Sequence, residues 1–208
     1  MTSEKNKAVE AATYEQGRQD KTKGESTMGI YVPHLISAIH DTLTRLAVNL
    51  HKPNLVSPTS LNLLCGVAAV ESNSGYFNRQ HPLGPALGIF QMEPTTADDI
   101  LRYLSERDVD GVDKSMRLAV EDATYARIPP KFSDWRFLLT TNLSVATAFA
   151  RIKFAMVEAP LPDASDIFGL ANYWKKHYNT FDGKGNPDEF VAKFNLHFEQ
   201  HLRSYVGT

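Results

Sequence analysis

The sequence predicts an all-α fold with at most a small β-hairpin. Apolar residues recur at three- and four-residue spacing in most segments after residue 30, as expected for helices that pack on a core. No segment shows the alternation of apolar and polar residues that is typical of a half-buried strand. Prolines, glycines and helix-capping residues separate the apolar stretches. We therefore expect about six to eight helices in one domain.

The first element is a polar segment, residues 1–27, with few residues that could build a core. Val9 is its one branched aliphatic residue and Tyr14 its one aromatic. Because this composition buries too little apolar surface to offset the entropy of ordering, we interpret residues 1–27 as a polar flexible tail. The alternative is an arm that orders on an assembly partner. The folded domain is then predicted to span residues 28–208.

Three helices are predicted in the first half of this domain. The first covers residues 33–50 and the second residues 57–72, where Ser and Thr are available as caps. The third covers residues 93–107, with Thr95 or Thr96 at its start. Two aspartates follow these threonines, and carboxylates suit the positive end of a helix dipole.

Four further helices are predicted in the second half. A weaker one covers residues 112–123, and a long central one, apolar on several faces, covers residues 134–159. The last two cover residues 165–179 and 186–205. Asn186 is a suitable cap for the final helix, and a proline follows it at the first helical position.

Composition excludes several classes of function. The formal net charge is −2 at pH 7, so no nucleic-acid partner is expected. Cys65 is the single cysteine, which excludes an intramolecular disulfide framework and a Cys-based zinc site, and we expect it to be a buried thiol. No stretch approaches the roughly 18 apolar residues of a membrane span, so membrane insertion is not predicted. Residues 1–27 lack the apolar core of a secretory signal peptide.

Glu71 is a carboxylate in an apolar context. On the predicted second helix it shares a face with Leu64 and Ala68. Burial disfavours the ionised form, so the pKa of Glu71 should rise toward neutral pH, where the group can donate a proton. The sequence thus favours a general acid at this position. The alternative is a glutamate at a helix C-terminus that reaches solvent.

The residues after Glu71 carry a pattern with a known counterpart. Glu71-Ser72 ends a helix, Gly-Ile-Phe-Gln follows at 88–91, and Pro-Thr-Thr-Ala at 94–97 begins the next helix. This order and spacing resemble the signature of the soluble lytic transglycosylase branch of the lysozyme-like superfamily.

Two later blocks agree with the same family in order. "NLSVATAFARIKF" at 142–154 is similar to its core helix, and "LANYWKKHYNT" at 170–180 is similar to its Ala-x-Tyr-Asn segment. The resemblance covers roughly residues 55–180. It implies a lysozyme-like α-helical domain that cleaves the β-1,4 bond between N-acetylmuramic acid and N-acetylglucosamine in peptidoglycan, without a cofactor.

The final part of the sequence looks like bacteriophage versions of this fold. That likeness implies an endolysin or a virion-borne enzyme, present in the host cytoplasm or the virion and acting in the periplasm or cell wall. Residues 1–27 would then dock the enzyme into a virion or another assembly.

The resemblance also implies roles for individual residues. Glu71 would be the catalytic acid and base, Ser72 and Gln91 would hydrogen-bond the sugar, and Tyr178 would line the cleft near the reacting oxygens. Each of the last three also has a plain structural role open to it, as a helix-end hydroxyl, a loop amide and a half-buried aromatic. Gly88 is explained by a positive φ or by close approach of its backbone to a ligand.

The number of carboxylates distinguishes the possible reactions. Hydrolysis needs a second carboxylate about 5 to 9.5 Å from the acid. Glu93 is the local candidate, although a solvated acid at a helix start, where the dipole favours it, is the preferred explanation. If Glu71 acts alone, the resemblance implies lytic transglycosylation, in which the muramyl C6 hydroxyl attacks and a 1,6-anhydro product forms. A third possibility is a virion structural or glycan-binding protein whose site is idle.

Two other groups are candidates for binding. His197 and His201 have the spacing of a two-histidine metal pair on one helix, but no third ligand accompanies them, so we expect solvated histidines and no metal site. Tyr173 and Trp174 are expected in the core, with stacking on a pyranose ring as the alternative.

Overall fold

The computed structural model describes residues 29–80, 84–129, 132–179 and 185–206, and within 132–136 and 203–206 only the backbone. The predicted tail, residues 1–27, lies outside the described residues. The described ranges contain nine α-helices: α1 (Val32–Asn49), α2 (Pro58–Ser72), α3 (Pro94–Ser105), α4 (Met116–Thr124), α5 (Phe132–Thr141), α6 (Leu143–Ala155), α7 (Ile167–Trp174), α8 (Pro187–His197) and α9 (Glu199–Val206).

Two short helical turns complete the secondary structure. A 3₁₀ turn, Pro53–Leu55, joins α1 to α2, and a π-helical turn, Lys175–Asn179, continues α7. The described residues form no sheet, and antiparallel pairing is limited to isolated bridges. The prediction of an all-α fold is confirmed.

Helix α2 runs through the core and delivers Glu71. The Ser57 Oγ accepts a hydrogen bond from the Ser60 N–H at 3.0 Å and caps its start. The helix packs against α1, α7 and α8, and most of its side chains are buried. Gly66 allows α8 to approach, because a Cβ at this position would overlap the Phe190 ring. The chain then reverses at Asn73, which has a φ of +52°.

The stretch Pro53–Ser72 is long and apolar enough, by length and composition, to cross a membrane. About two thirds of it is buried inside the protein, as expected for a core helix. No other described helix has this character.

The core is built largely from aromatic and branched side chains. The largest fully buried side chains are Trp174, Phe90, Phe149, Phe154, Phe190 and Phe198. Burial of each such ring stabilises the fold by about 2 to 3 kcal/mol relative to exposure. Cys65 is fully buried, and burial raises the pKa of its thiol.

Two predicted helices are each divided in two. The long helix predicted at 134–159 breaks at Asn142, whose Oδ1 accepts a hydrogen bond from the Val145 N–H at 3.0 Å and caps α6. The last predicted helix breaks at Phe198, so His197 ends α8 while His201 lies in α9. The two histidines are therefore not on one continuous helix. These breaks account for a helix count above the predicted range.

The start of α3 also differs from the prediction. The helix begins at Pro94, and Glu93 occupies the N-cap position without a side-chain cap hydrogen bond. Thr95 and Thr96 thus lie inside the first turn. Proline suits this first helical position because its missing N–H would have no partner there.

Candidate active site

Glu71 lies in the last turn of α2, and its carboxyl is held by the protein. The Trp174 Nε1–H donates a hydrogen bond to the Glu71 Oε1 at 3.0 Å. Burial raises the pKa of Glu71 to about 7, while hydrogen bonds from Trp174 and Asn179 act in the opposite direction. The acid is therefore poised to exist in both protonation states near neutral pH.

Trp174 and Asn179 hold this carboxyl from the end of α7 and the π turn that follows. Trp174 is fully buried and packs on Phe190, with 5.6 Å between ring centroids. The Asn179 Oδ1 accepts hydrogen bonds from the Lys175 Nζ at 3.0 Å and the Gly185 N–H at 3.2 Å. These contacts occupy the amide oxygen, which leaves the amide nitrogen to serve as the donor to Glu71.

Gly185 is close to both of these residues. A Cβ at position 185 would overlap the Trp174 ring and would lie 2.8 Å from the Asn179 Nδ2. Glycine is therefore required if this backbone is to pass beside the pair without displacing it.

The residues Gly-Ile-Phe-Gln at 88–91 form a four-residue turn closed by Leu87 and Met92. The backbone N–H of each of these two residues donates to the carbonyl of the other at 2.9 Å. Gly88 has a φ of +73°. A Cβ there would overlap the Leu139 carbonyl oxygen of α5. The close approach expected of Gly88 is thus made to a helix backbone, and its φ is of the kind that favours glycine.

Gln91 braces this turn from inside. Its φ is +44°, and its Nε2 donates to the Gly88 carbonyl at 2.7 Å and to the Phe77 carbonyl at 3.3 Å. The side chain is partly exposed. The sugar contact that the resemblance implies for Gln91 stays a prediction.

Tyr178 connects the turn to the acid. Its hydroxyl donates to the Phe90 carbonyl at 2.8 Å, and its ring stacks on Phe154 with 5.2 Å between centroids. Burial, and then the charge of Glu71, raise the pKa of the Tyr178 phenol. Tyr178 therefore contacts the 88–91 turn directly and interacts electrostatically with Glu71, and its role beside a substrate stays a prediction.

Ser72 lies at the end of α2, and its hydroxyl bonds to the backbone. Its hydroxyl is fully buried, donates to the Ala68 carbonyl at 3.0 Å and accepts from the Gly75 N–H at 2.9 Å. These bonds fasten the chain reversal directly after Glu71. Any contact of Ser72 with a sugar stays a prediction.

Two carboxylates other than Glu71 are candidates for a second acidic group. Glu93 is exposed, and no hydrogen bond or ion pair among the described residues joins it to Glu71. Glu189 on α8 was not anticipated from the sequence, yet its charge raises the pKa of Glu71 slightly. It forms an ion pair with Lys193 at 2.9 Å, and the Lys193 Nζ also donates to the Val70 carbonyl at 3.4 Å.

Sequence reasoning missed three members of this site. Asn179 and Glu189 carried no local signal, and Trp174 was assigned to the core without its hydrogen bond to Glu71.

The described residues contain no group of three or more His, Cys, Asp or Glu that could hold a metal ion. No family model, curated protein or solved structure matches the chain.

Proposed function

We propose that this protein is a peptidoglycan-degrading enzyme of the lysozyme-like kind, with Glu71 as its catalytic acid and base. One observation carries the proposal: the Glu71 carboxyl is half-buried at the end of an apolar helix, is held by Trp174 and Asn179, and has its pKa raised to about 7. A carboxyl held in this way can act as both acid and base at neutral pH. Glycan strands of peptidoglycan are the proposed substrate.

Lytic transglycosylation uses one carboxyl in two steps. Protonated Glu71 first gives its proton to the glycosidic oxygen, and the bond from this oxygen to C1 of N-acetylmuramic acid breaks. The carboxylate then takes the proton of the C6 hydroxyl as that oxygen bonds to C1. One product ends in N-acetylglucosamine with a free hydroxyl, the other ends in 1,6-anhydro-N-acetylmuramic acid, and no water is consumed. Trp174 and Asn179 stabilise the carboxylate between the two steps.

Hydrolysis is the second candidate, and Glu189 is the observation that favours it. Hydrolytic glycosidases use a second carboxylate as nucleophile or base. The Glu189 carboxylate is a candidate for this role because it acts electrostatically on Glu71. The ion pair with Lys193 fixes the position of the Glu189 side chain on α8. In that reaction the cleaved sugar carries a hydroxyl from water at C1.

Zymography on purified sacculi tests the enzyme class. The wild-type protein should clear the gel, and Glu71→Gln should not. Glu93→Gln is the matched control, because it makes the same substitution at an exposed glutamate, and it should clear the gel as the wild type does. Clearing by Glu71→Gln equal to that of the wild type would overturn the assignment of Glu71. No clearing by any of the three would favour an idle structural or glycan-binding protein.

Mass spectrometry of the released muropeptides distinguishes the two reactions. The anhydro product is lighter than the hydrated product by one water. Transglycosylation predicts anhydro ends that persist in Glu189→Gln, whereas hydrolysis predicts reducing ends and a large loss of rate in that variant.

A cellular role follows from the same proposal. The enzyme would act on the wall as an endolysin or as part of a phage virion, with residues 1–27 as the segment that docks it. Deletion of these residues should leave clearing of sacculi intact and abolish incorporation into particles. Loss of clearing in the deletion variant would show instead that the segment belongs to the catalytic domain.

A further inference from the structure

A cavity of about 510 Å³ lies apart from the candidate active site, and Glu71 does not line it. It opens between the 3₁₀ turn Pro53–Leu55, the C-terminal half of α6 and the loop that follows α6. Cavities of this volume accommodate a small organic molecule. Its walls combine apolar side chains with a small number of charged ones, and the charged ones indicate what it would bind.

Arg151 is the buried charge in this cavity. It is only 5% exposed, and its Nε and Nη2 donate to the Leu55 and Asn54 carbonyls, each at 3.0 Å. Burial lowers the pKa of its guanidinium to about 10. No carboxylate among the described residues forms an ion pair with it, although buried arginines are normally paired with an anion.

The two carbonyls satisfy only part of the guanidinium. Arginine has five N–H donors in a fork that matches a carboxylate, and the bonds to Leu55 and Asn54 use one donor on each of two nitrogens. The remaining N–H groups of Arg151 have no partner among the described residues, and Arg151 lines the cavity. An anion in the cavity would complete the hydrogen bonding of Arg151.

Two further features of the wall bear on its charge. Lys52 lines the cavity, with its Nζ paired to Asp110 at 3.1 Å, and Ser57, the N-cap of the 15-residue helix α2, places the positive end of a helix dipole at the wall. Glu158 lines the cavity as well, which disfavours a ligand with two negative charges. Apolar side chains such as Ile152 and Phe154 cover other parts of the wall.

We propose that this cavity is a ligand site for a small molecule that carries one carboxylate on an apolar body, with Arg151 as its anion contact. The site shares an aromatic wall with the candidate active site, since Phe154 lines the cavity on one side and stacks on Tyr178 on the other. The proposal does not depend on the proposed function, because binding can be measured without substrate.

Benzoate is the probe, and benzamide is its neutral counterpart of the same shape. In ¹H–¹⁵N and methyl NMR titrations of the full chain, benzoate should give saturable shifts at Ile152, Leu55 and the Arg151 side chain, and benzamide should bind at least tenfold more weakly. Equal shifts with both probes, shifts that map elsewhere, or tighter binding of phenyl phosphate than of benzoate would each overturn the proposal.

Two variants separate binding from folding. Arg151→Met should weaken benzoate binding more than tenfold in protein whose spectrum remains folded. If loss of the Arg151 hydrogen bonds unfolds the chain, Glu158→Gln still tests the ligand site, because Glu158 is exposed and its substitution does not disturb the core. Removal of its charge should tighten benzoate binding several-fold, and unchanged or weaker binding would contradict the site. An arginine that serves only to hold the 3₁₀ turn predicts no saturable binding at all.

Discussion

Replacement of Glu71 by glutamine should stabilise the fold at alkaline pH. The pKa of Glu71 rises from 4.5 to about 7 on folding, because burial disfavours its carboxylate. The unfolded state therefore loses this proton at lower pH than the folded state does, and the free energy of unfolding falls as pH increases between these values. At 1.4 kcal/mol per pH unit the cost reaches about 3 kcal/mol above pH 7. Glutamine is neutral and can still accept the Trp174 hydrogen bond, so it avoids this cost.

Urea unfolding followed by circular dichroism at pH 4 and pH 9 measures the effect. At pH 4 the wild type and Glu71→Gln should agree within about 0.5 kcal/mol, and at pH 9 the variant should be about 3 kcal/mol more stable. Glu93→Gln is the matched control and should change the free energy of unfolding by less than about 0.5 kcal/mol at both pH values. A Glu71→Gln effect of the same size at pH 4 and pH 9 would refute the argument that burial of the ionised carboxylate is the cause.

Three further predictions concern single side chains. Trp174→Phe keeps an aromatic ring but removes a donor that lowers the pKa of Glu71. Activity on sacculi should fall about tenfold, and the alkaline limb of the pH–activity profile should move to higher pH. An unmoved limb would contradict this role of Trp174. Gly88→Ala should lower the free energy of unfolding by about 3 kcal/mol in thermal melts, because the new Cβ meets the Leu139 carbonyl. Gly111→Ala, at a φ of +79° with open space around it, should cost only about 1 kcal/mol. Equal losses would contradict the contact between Gly88 and α5. Glu121→Gln removes the charge of a buried carboxylate that pairs with two arginines and should cost about 2 kcal/mol in urea; no loss would mean that the pairs are energetically neutral.

Helix positions were largely predictable because they depend on local periodicity. The first two predicted helices, at 33–50 and 57–72, agree with α1 and α2 within one residue at each end. The break at Asn142 was missed because the apolar pattern continues across it. A single capping side chain decides that break, and its hydrogen bond competes with helix propensity only in the folded context.

The candidate site was predictable only in part, for a related reason. The position of Glu71 on an apolar stripe is a local property, and it identified this residue as an unusual carboxylate. Its partner Trp174 is 103 residues away in the chain, and the hydrogen bond between them depends on how α7 packs against α2. Asn179 depends further on a π turn that no sequence pattern indicated. The residues that tune the acid are thus tertiary neighbours, which periodicity does not reveal.

The partners of Glu71 are needed because one carboxyl is proposed to perform two opposite proton transfers. A fully solvated glutamate is ionised at neutral pH and has no proton to give to a leaving oxygen. A glutamate that was buried without donors would hold its proton so firmly that it would be a poor acid toward the leaving oxygen. In this protein burial raises the pKa of Glu71, and the hydrogen bonds from Trp174 and Asn179 limit that rise to a value near 7. The two effects together place both forms within reach at one pH, which single-carboxyl catalysis requires.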